Sequence, residues 1–216
     1  MPNLYNPLFP LKNKQQQSIY FNNNNTFDNL VVQTQSATLL PELFKLKNYN
    51  FTLLTANLKS IFQLYFKLLN EIDSDGIVFC LKKFIEEFQL EIFSFASELG
   101  KELVESFNKF VVKDDLDKIS DDEERVASSI LKALAKLVSL SAKLNGAATA
   151  KELELICFPL ILWNLKSNFA CIFSADNLNL LLEIVSLEFQ FEKDLWACFD
   201  EVLGSLLVES KLFISF

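Results

Sequence analysis

Apolar residues recur at every third or fourth position over most of this chain, and this spacing constrains the fold more than any other feature of the sequence. Between Phe51 and Glu71, one such stripe consists of Leu54, Leu58, Ile61, Tyr65 and Leu68. A helix of about 3.6 residues per turn brings these positions onto one face, whereas a half-buried strand needs apolar residues at every second position. With four Gly and five Pro in 216 residues, the chain also has few breakers for a turn-rich β fold. The sequence therefore predicts an all-α protein.

The sequence of the middle of the chain predicts two long helices. From Gly76 the apolar stripe continues at helical spacing to Phe110, which predicts a helix of roughly 20 residues or more that is kinked or broken at Gly100. A second helix is predicted to begin at Ser120, because Ser120 and Glu123 form a capping-box pattern. It is predicted to end at the next Asn-Gly pair, a common helix stop.

Capping patterns also indicate helices in the last third of the chain. Thr149 and Glu152 repeat the capping-box pattern and predict the start of a helix that is apolar on all sides. Pro159 lies inside this helix and is expected to kink or break it. Asp176 is predicted to cap the helix that follows.

These segments amount to about seven or eight helices joined by short polar turns, an arrangement typical of antiparallel helical hairpins. They include a short helix around Pro41 and a final amphipathic helix over 195–210. The paired units recur at roughly 40 to 50 residues, which resembles the spacing of HEAT and armadillo repeats. This resemblance implies a right-handed α-solenoid, and an irregular multi-helix domain is the alternative. We expect a single helical domain over 37–216.

Residues 1–36 differ in composition from the rest of the chain. They hold runs of Gln and Asn, several Pro residues and few apolar side chains. Too little apolar surface can be buried here to offset the conformational entropy that is lost on ordering. We therefore expect a flexible, disordered polar tail, with one anchored segment near Leu30 to Val32.

Charge and composition exclude several classes of function. Lys and Arg number 20 and Asp and Glu 28, which gives a net charge of −8 and an isoelectric point near 4.7. This is the wrong sign for a surface that neutralises phosphates, so nucleic acid is not an expected partner. Because the chain has no His, it cannot form Ser-His-Asp or Cys-His nucleophilic sites, HExxH zinc sites or Glu-x-x-His di-iron sites. Its isolated Gly residues form no phosphate-binding loop.

One metal-like pattern is present but incomplete. Glu71, Asp73 and Asp75 follow the first ligand positions of an EF-hand calcium loop. Lys82 occupies the position where the bidentate Glu of that loop is required, so a cation replaces the strongest ligand. We therefore predict no metal ion, no cofactor and no catalytic residue.

The cysteines lie in apolar runs and form no CxxC pair; they are Cys80, Cys157, Cys171 and Cys198. We interpret them as small buried hydrophobic residues. The sequence contains neither a secretory signal pattern nor an apolar run of the roughly 20 residues that a transmembrane helix needs. We expect an intracellular protein, in the cytoplasm or the nucleus.

Phe is abundant, with 22 copies in the chain, which is more than one small core usually employs. Our candidates for partner binding are Phe84, Phe88, Phe95 and Phe107 on the long helices. Ser120 is a candidate helix cap or, because acids follow it, a phosphorylation site. The sequence therefore predicts a non-catalytic scaffold or adaptor subunit that binds partner proteins within a larger complex. The alternative is a helical bundle that encloses an apolar ligand, such as a lipid, in a Phe-rich interior.

Overall fold

A computed structural model gives the architecture of the chain. It describes residues 30–46, 51–72, 74–111, 119–144, 147–166, 170–186 and 196–204. These residues are helical almost throughout and include no β-strand, which confirms the all-α prediction.

The helices follow one another with short connections. They are α1 (Leu30–Leu39), a 3-10 helix (Leu40–Lys45), α2 (Thr52–Glu71), α3 (Asp75–Glu87), α4 (Gln89–Phe93), α5 (Ala96–Val111), α6 (Asp121–Lys143), α7 (Ala147–Lys166) and α8 (Ala170–Val185). Residues 196–204 are also helical and lie within the predicted final helix. The described ranges hold eight α-helices besides the 3-10 helix and the segment 196–204, which fits the prediction of about seven or eight helices or slightly exceeds it.

From α2 onward the helices lie in two layers. Neighbours in one layer are α2, α5 and α7, and neighbours in the other are α3, α6 and α8. The helices of each of the pairs α2–α3, α5–α6 and α7–α8 follow one another in the chain and contact each other, and each pair contributes one helix to each layer. The apolar stripes face inward between the layers and form one continuous core. Side chains such as Leu103 and Leu134 are fully buried there.

The helical part of the chain begins earlier than the sequence indicates. Helix α1 begins at Leu30, so the predicted anchored segment near Leu30 to Val32 forms its first turn. Ala37 is buried in α1, and its carbonyl oxygen accepts a 2.7 Å hydrogen bond from the Tyr65 hydroxyl of α2. Burial raises the pKa of Tyr65, which keeps this hydroxyl protonated as a donor. The expected boundary at residue 37 therefore falls inside a docked helix, and the rest of the predicted tail, 1–29, lies outside the described residues.

The predicted start of α6 is confirmed. The Ser120 Oγ accepts a 3.2 Å hydrogen bond from the Glu123 backbone amide, and the Glu123 carboxylate accepts a 2.9 Å bond from the Ser120 amide. This reciprocal capping box satisfies two amides that the first turn leaves without helical partners. The acids of the first turn also interact favourably with the helix dipole.

Replacing Ser120 by Ala is expected to lower the free energy of unfolding by about 1 kcal/mol, because one capping acceptor is lost. Urea denaturation followed by circular dichroism measures this change. The control is Ser120→Asp, which keeps an acceptor oxygen at the cap and is expected to unfold near the wild-type midpoint. Equal losses in both variants would show that the cap does not stabilise α6.

The predicted break at Gly100 is wrong. Helix α5 runs through Gly100 without interruption, and the helical path is instead interrupted at Phe88, whose φ of −107° and ψ of 46° depart from helical values. A short turn at 94–95 then separates α4 from α5. No Gly or Pro lies at either point, and the apolar spacing continues across both, so the sequence carries no local signal for them. Gly100 instead lies where another helix approaches closely.

The predicted capping box at Thr149 is also wrong, because α7 begins at Ala147. The Glu152 carboxylate accepts a hydrogen bond from the Ser97 hydroxyl of α5 instead. Helix α7 continues past Pro159, so the break predicted there is not present. Pro159 is on the exposed side of the helix, where the carbonyl that loses its amide donor can bond to water. The exposed side of α7 is partly apolar, as the sequence predicts, but it is not buried. Leu155 on this side is 53% exposed.

Asp176 does not cap a helix. Helix α8 begins at Ala170, which places Asp176 in its interior. The Asp176 carboxylate accepts a hydrogen bond from the Ser128 hydroxyl, and it lies 3.6 Å from the Lys132 Nζ. The acid therefore joins α8 to α6 across the second layer, a long-range role that sequence spacing does not reveal.

Candidate functional site

A cleft of about 420 Å³ lies between α2 and α5 in the first layer. One face of α2 lines it over more than three turns, and the α4–α5 turn and the first half of α5 form the opposite wall. The apolar floor of the cleft consists of Phe62, Phe66 and Leu99, which are largely buried, and of the half-buried Phe95. The rings of Phe62 and Phe95 meet edge to face across the cleft, with centroids 5.8 Å apart.

Two polar contacts close the ends of the cleft. At one end the Lys59 Nζ lies 2.5 Å from the Glu98 carboxylate. At the other end the Lys109 Nζ donates to the backbone and side-chain oxygens of Asn70, at 2.6 and 3.3 Å. Asn70 and Lys109 are 39 positions apart, and so are Lys59 and Glu98. The two helices are therefore parallel and in constant register over the cleft, which is about 16 Å long.

Residue size differs between the two sides of α5 in this layer. A Cβ atom at Gly100 would lie 2.6 Å from the Leu153 Cδ2, so α7 packs against α5 more closely than a side chain at that position would allow. On the other side of α5, the large rings of Phe62 and Phe66 stand on the facing surface of α2. The layer is therefore tight on one side of α5 and open on the other.

The two rims of the cleft differ in charge, because both Lys residues of the lining lie on one rim. The rim on α2 bears Lys59, Lys67 and, at its far end, Glu71, and the rim on α5 bears Glu98 and Glu102. Lys67 lies 3.9 Å from Glu71 of its own helix, at the outer limit of an ion pair. Glu102 is exposed and makes no ion pair with any residue that the structure describes. The middle of the cleft therefore presents charges that are not neutralised across it.

The structure places most of the predicted Phe candidates in the core and not on the surface. Phe84 and Phe107 are 0% exposed and Phe88 is 4% exposed. Their rings pack against other aromatic rings, as in the contact between Phe107 and Phe173 of α8, with centroids 5.6 Å apart. Phe95 is half-buried and is the one candidate of the four that lines the cleft.

The polar residues of the cleft are absent from the candidates that sequence analysis gives. Lys59, Gln63 and Lys67 recur at four-residue spacing along α2, which is a visible pattern of one helix edge. The same pattern is typical of any solvated face. The pattern indicates a cleft rim only when α5 lies parallel to α2. That placement depends on contacts between residues 39 positions apart.

The described thiols are buried, and two of them have raised pKa values. Cys80, Cys157 and Cys198 are buried, as the sequence predicts, while the side chain of Cys171 lies outside the described part. Burial, with a smaller contribution from Glu42, raises the pKa of Cys80 to about 11. Burial raises that of Cys157 to about 12. Both thiols are protonated near neutral pH and are poor nucleophiles and metal ligands.

Among the residues that the structure describes, no three His, Cys, Asp or Glu side chains are grouped so that they could hold a metal ion. Within the same ranges, every helix is too short or too polar to cross a membrane. Comparisons of the chain with family models, curated proteins and solved structures give no match. Its function is therefore inferred from the cleft itself.

Proposed function

We propose that this chain is a non-catalytic scaffold or adaptor subunit that binds a helical segment of a partner protein in the α2–α5 cleft. The observation that carries the proposal is the combination of an aromatic lining with two charged rims along one elongated cleft. Amphipathic helices bind to other proteins by placing apolar side chains in such grooves while their polar edges stay in contact with solvent. The exposed mouth, which includes Gln63 and Glu102, suits an occupant that is polar on its outer side.

The net charge and the buried free thiols favour an intracellular protein partner. The net charge of −8 disfavours nucleic acid. Buried thiols such as Cys80 and Cys157 are typical of proteins from a reducing compartment, so we place the interaction in the cytoplasm or the nucleus.

An apolar ligand such as a lipid is the second candidate occupant. The cleft volume of about 420 Å³ lies within the range of roughly 300–1,000 Å³ that is usual for small-ligand sites. The charged residues along both rims favour the protein partner, because a lipid chain cannot pair with them.

Capture experiments with a matched pair of variants test the proposal. Gln63→Trp places a large ring at the mouth of the cleft, and Leu64→Trp places the same ring on an exposed position of α2 that does not line it. Proteins retained from the native cell by the wild type, and then purified, are compared for direct binding to both variants. We expect affinity to fall about tenfold or more for Gln63→Trp and to stay near wild type for Leu64→Trp.

Two results would contradict this proposal. Equal binding of the purified partner by both Trp variants would place the interaction elsewhere on the surface. A stoichiometric lipid found by mass spectrometry in the extracted wild-type protein, and lost from Gln63→Trp, would assign the cleft to the apolar ligand instead.

A further inference from the structure

We propose that the partner segment is an amphipathic helix with acidic side chains along one edge of its apolar stripe and basic side chains along the other, and that Lys67 and Glu102 select it. This inference rests on the proposed function of the cleft. It adds the chemistry of the partner and the residues that determine specificity.

The charges of the cleft are unequally divided between the two helices. Every Lys of the lining is on α2, which also carries Glu71, and the α5 side carries Glu98 and Glu102. At one end of the cleft, the charges of Lys59 and Glu98 already neutralise each other. Lys67 makes an exposed ion pair of 3.9 Å with Glu71 of its own helix, and Glu102 makes none with a described residue. Because such an exposed pair is weak, Lys67 and Glu102 are the charges that can still pair with a partner. The side chain of Lys67 is 63% exposed, and Glu102 is exposed as well.

The register of α2 and α5 places these two charges close together along the cleft. A constant offset of 39 positions sets Gln63 opposite Glu102. Lys67 follows Gln63 by one helical turn, so Lys67 and Glu102 lie on opposite rims about 6 Å apart along the axis. A helix that lies along the cleft can place an acid above Lys67 and a Lys or Arg above Glu102. A helix with the same charge on both edges meets repulsion at one rim.

Two synthetic peptides of about 14 residues test this charge rule, a length that spans the cleft as a helix. Both have the same composition and the same stripe of Leu and Phe. The split peptide has Glu along one edge and Lys along the other, and the interleaved peptide alternates Glu and Lys on both edges. We expect the full chain to bind the split peptide roughly three- to tenfold more tightly in low salt, measured by fluorescence anisotropy. The difference should shrink as salt screens the rims.

Charge-reversal variants test the two selecting residues. Lys67→Glu or Glu102→Lys alone should weaken binding of the split peptide roughly three- to tenfold, because one edge is then repelled. The double variant Lys67→Glu/Glu102→Lys exchanges the rims. A split peptide that binds in the opposite direction also exchanges its acidic and basic edges. The double variant should therefore bind the split peptide with wild-type affinity. Lys101→Glu, on an exposed position of α5 outside the lining, is the control and should leave affinity unchanged.

The outcomes separate this inference from the proposed function. If both peptides bind equally and the losses of the two reversals add in the double variant, the charge rule is overturned while the cleft remains a helix-binding site. If neither peptide binds, the cleft does not accept a helix, and both proposals are overturned. Preference for the split peptide together with recovery in the double variant supports the charge rule, because loss of structure would not be repaired by a second reversal.

Discussion

Replacing Phe84 by Ala is expected to lower the free energy of unfolding by about 4 kcal/mol. The ring is 0% exposed, and it contacts four other aromatic rings at centroid distances from 5.0 to 6.1 Å. These rings belong to Phe44, Phe62, Tyr65 and Phe88. The substitution removes the apolar transfer energy of the ring and leaves a cavity between rigid neighbours that cannot close fully. For a chain of this size, the melting temperature should fall by about 8–16 °C.

Phe79 supplies the matched control on the same helix. It is 53% exposed, and its ring lies 5.4 Å from the Lys83 Nζ. Phe79→Ala should therefore lower the free energy of unfolding by less than about 1 kcal/mol. Thermal and urea denaturation of both variants measure the difference. Similar losses at the two positions would contradict the core location of Phe84 and would return it to the surface candidates.

Helices that carry their own stripe and caps could be predicted from the sequence. Helix α2 begins within one residue of the predicted start and ends at Glu71 as expected, because its stripe is continuous and a polar turn follows. The capping box of α6 needs only Ser120 and Glu123, three positions apart, so the local sequence determines it. Both features depend on interactions within one helix.

Features that depend on contacts between distant segments could not be predicted. The pattern around Asp176 is that of a cap, but the carboxylate is held by Ser128 of α6, which is 48 positions away. The interruption at Phe88 occurs inside a continuous apolar stripe and seats this residue against Phe51 and Phe84. In both places tertiary packing overrides the local signal.

The candidate site also combines features that are visible in the sequence with features that depend on tertiary contacts. An excess of Phe suggests a binding surface, and Phe95 does line the cleft, but burial of the other three candidates depends on how the hairpins stack. Charged edges of α2 and α5 are visible in the sequence, whereas their position on facing rims follows from the parallel register of the two helices. The close approach of α7 to α5 in the same layer depends on Gly100.

Replacing Gly100 by Leu is expected to lower the free energy of unfolding by about 3 kcal/mol. Even a Cβ at this position would lie 2.6 Å from the Leu153 Cδ2, and Leu137 and Ile156 lie within 4 Å. Because Leu153 is fully buried, it has no solvent to move into, so the added side chain forces α5 and α7 apart. The gain in helix propensity from replacing Gly, about 1 kcal/mol, is too small to compensate.

Gly204 provides the same substitution without the close approach, since a Cβ at this position meets no atom within 4 Å. Gly204→Leu should therefore leave the free energy of unfolding unchanged or raise it by up to about 1 kcal/mol. Denaturation with urea compares the two variants, and a third measurement identifies the cause. In a Leu153→Ala background, the loss from Gly100→Leu should shrink by at least about 1 kcal/mol, because the atom that it strikes is gone. An unchanged loss in that background would mean that Gly100 does not set the distance between α5 and α7, and the close packing of these two helices would then have another cause.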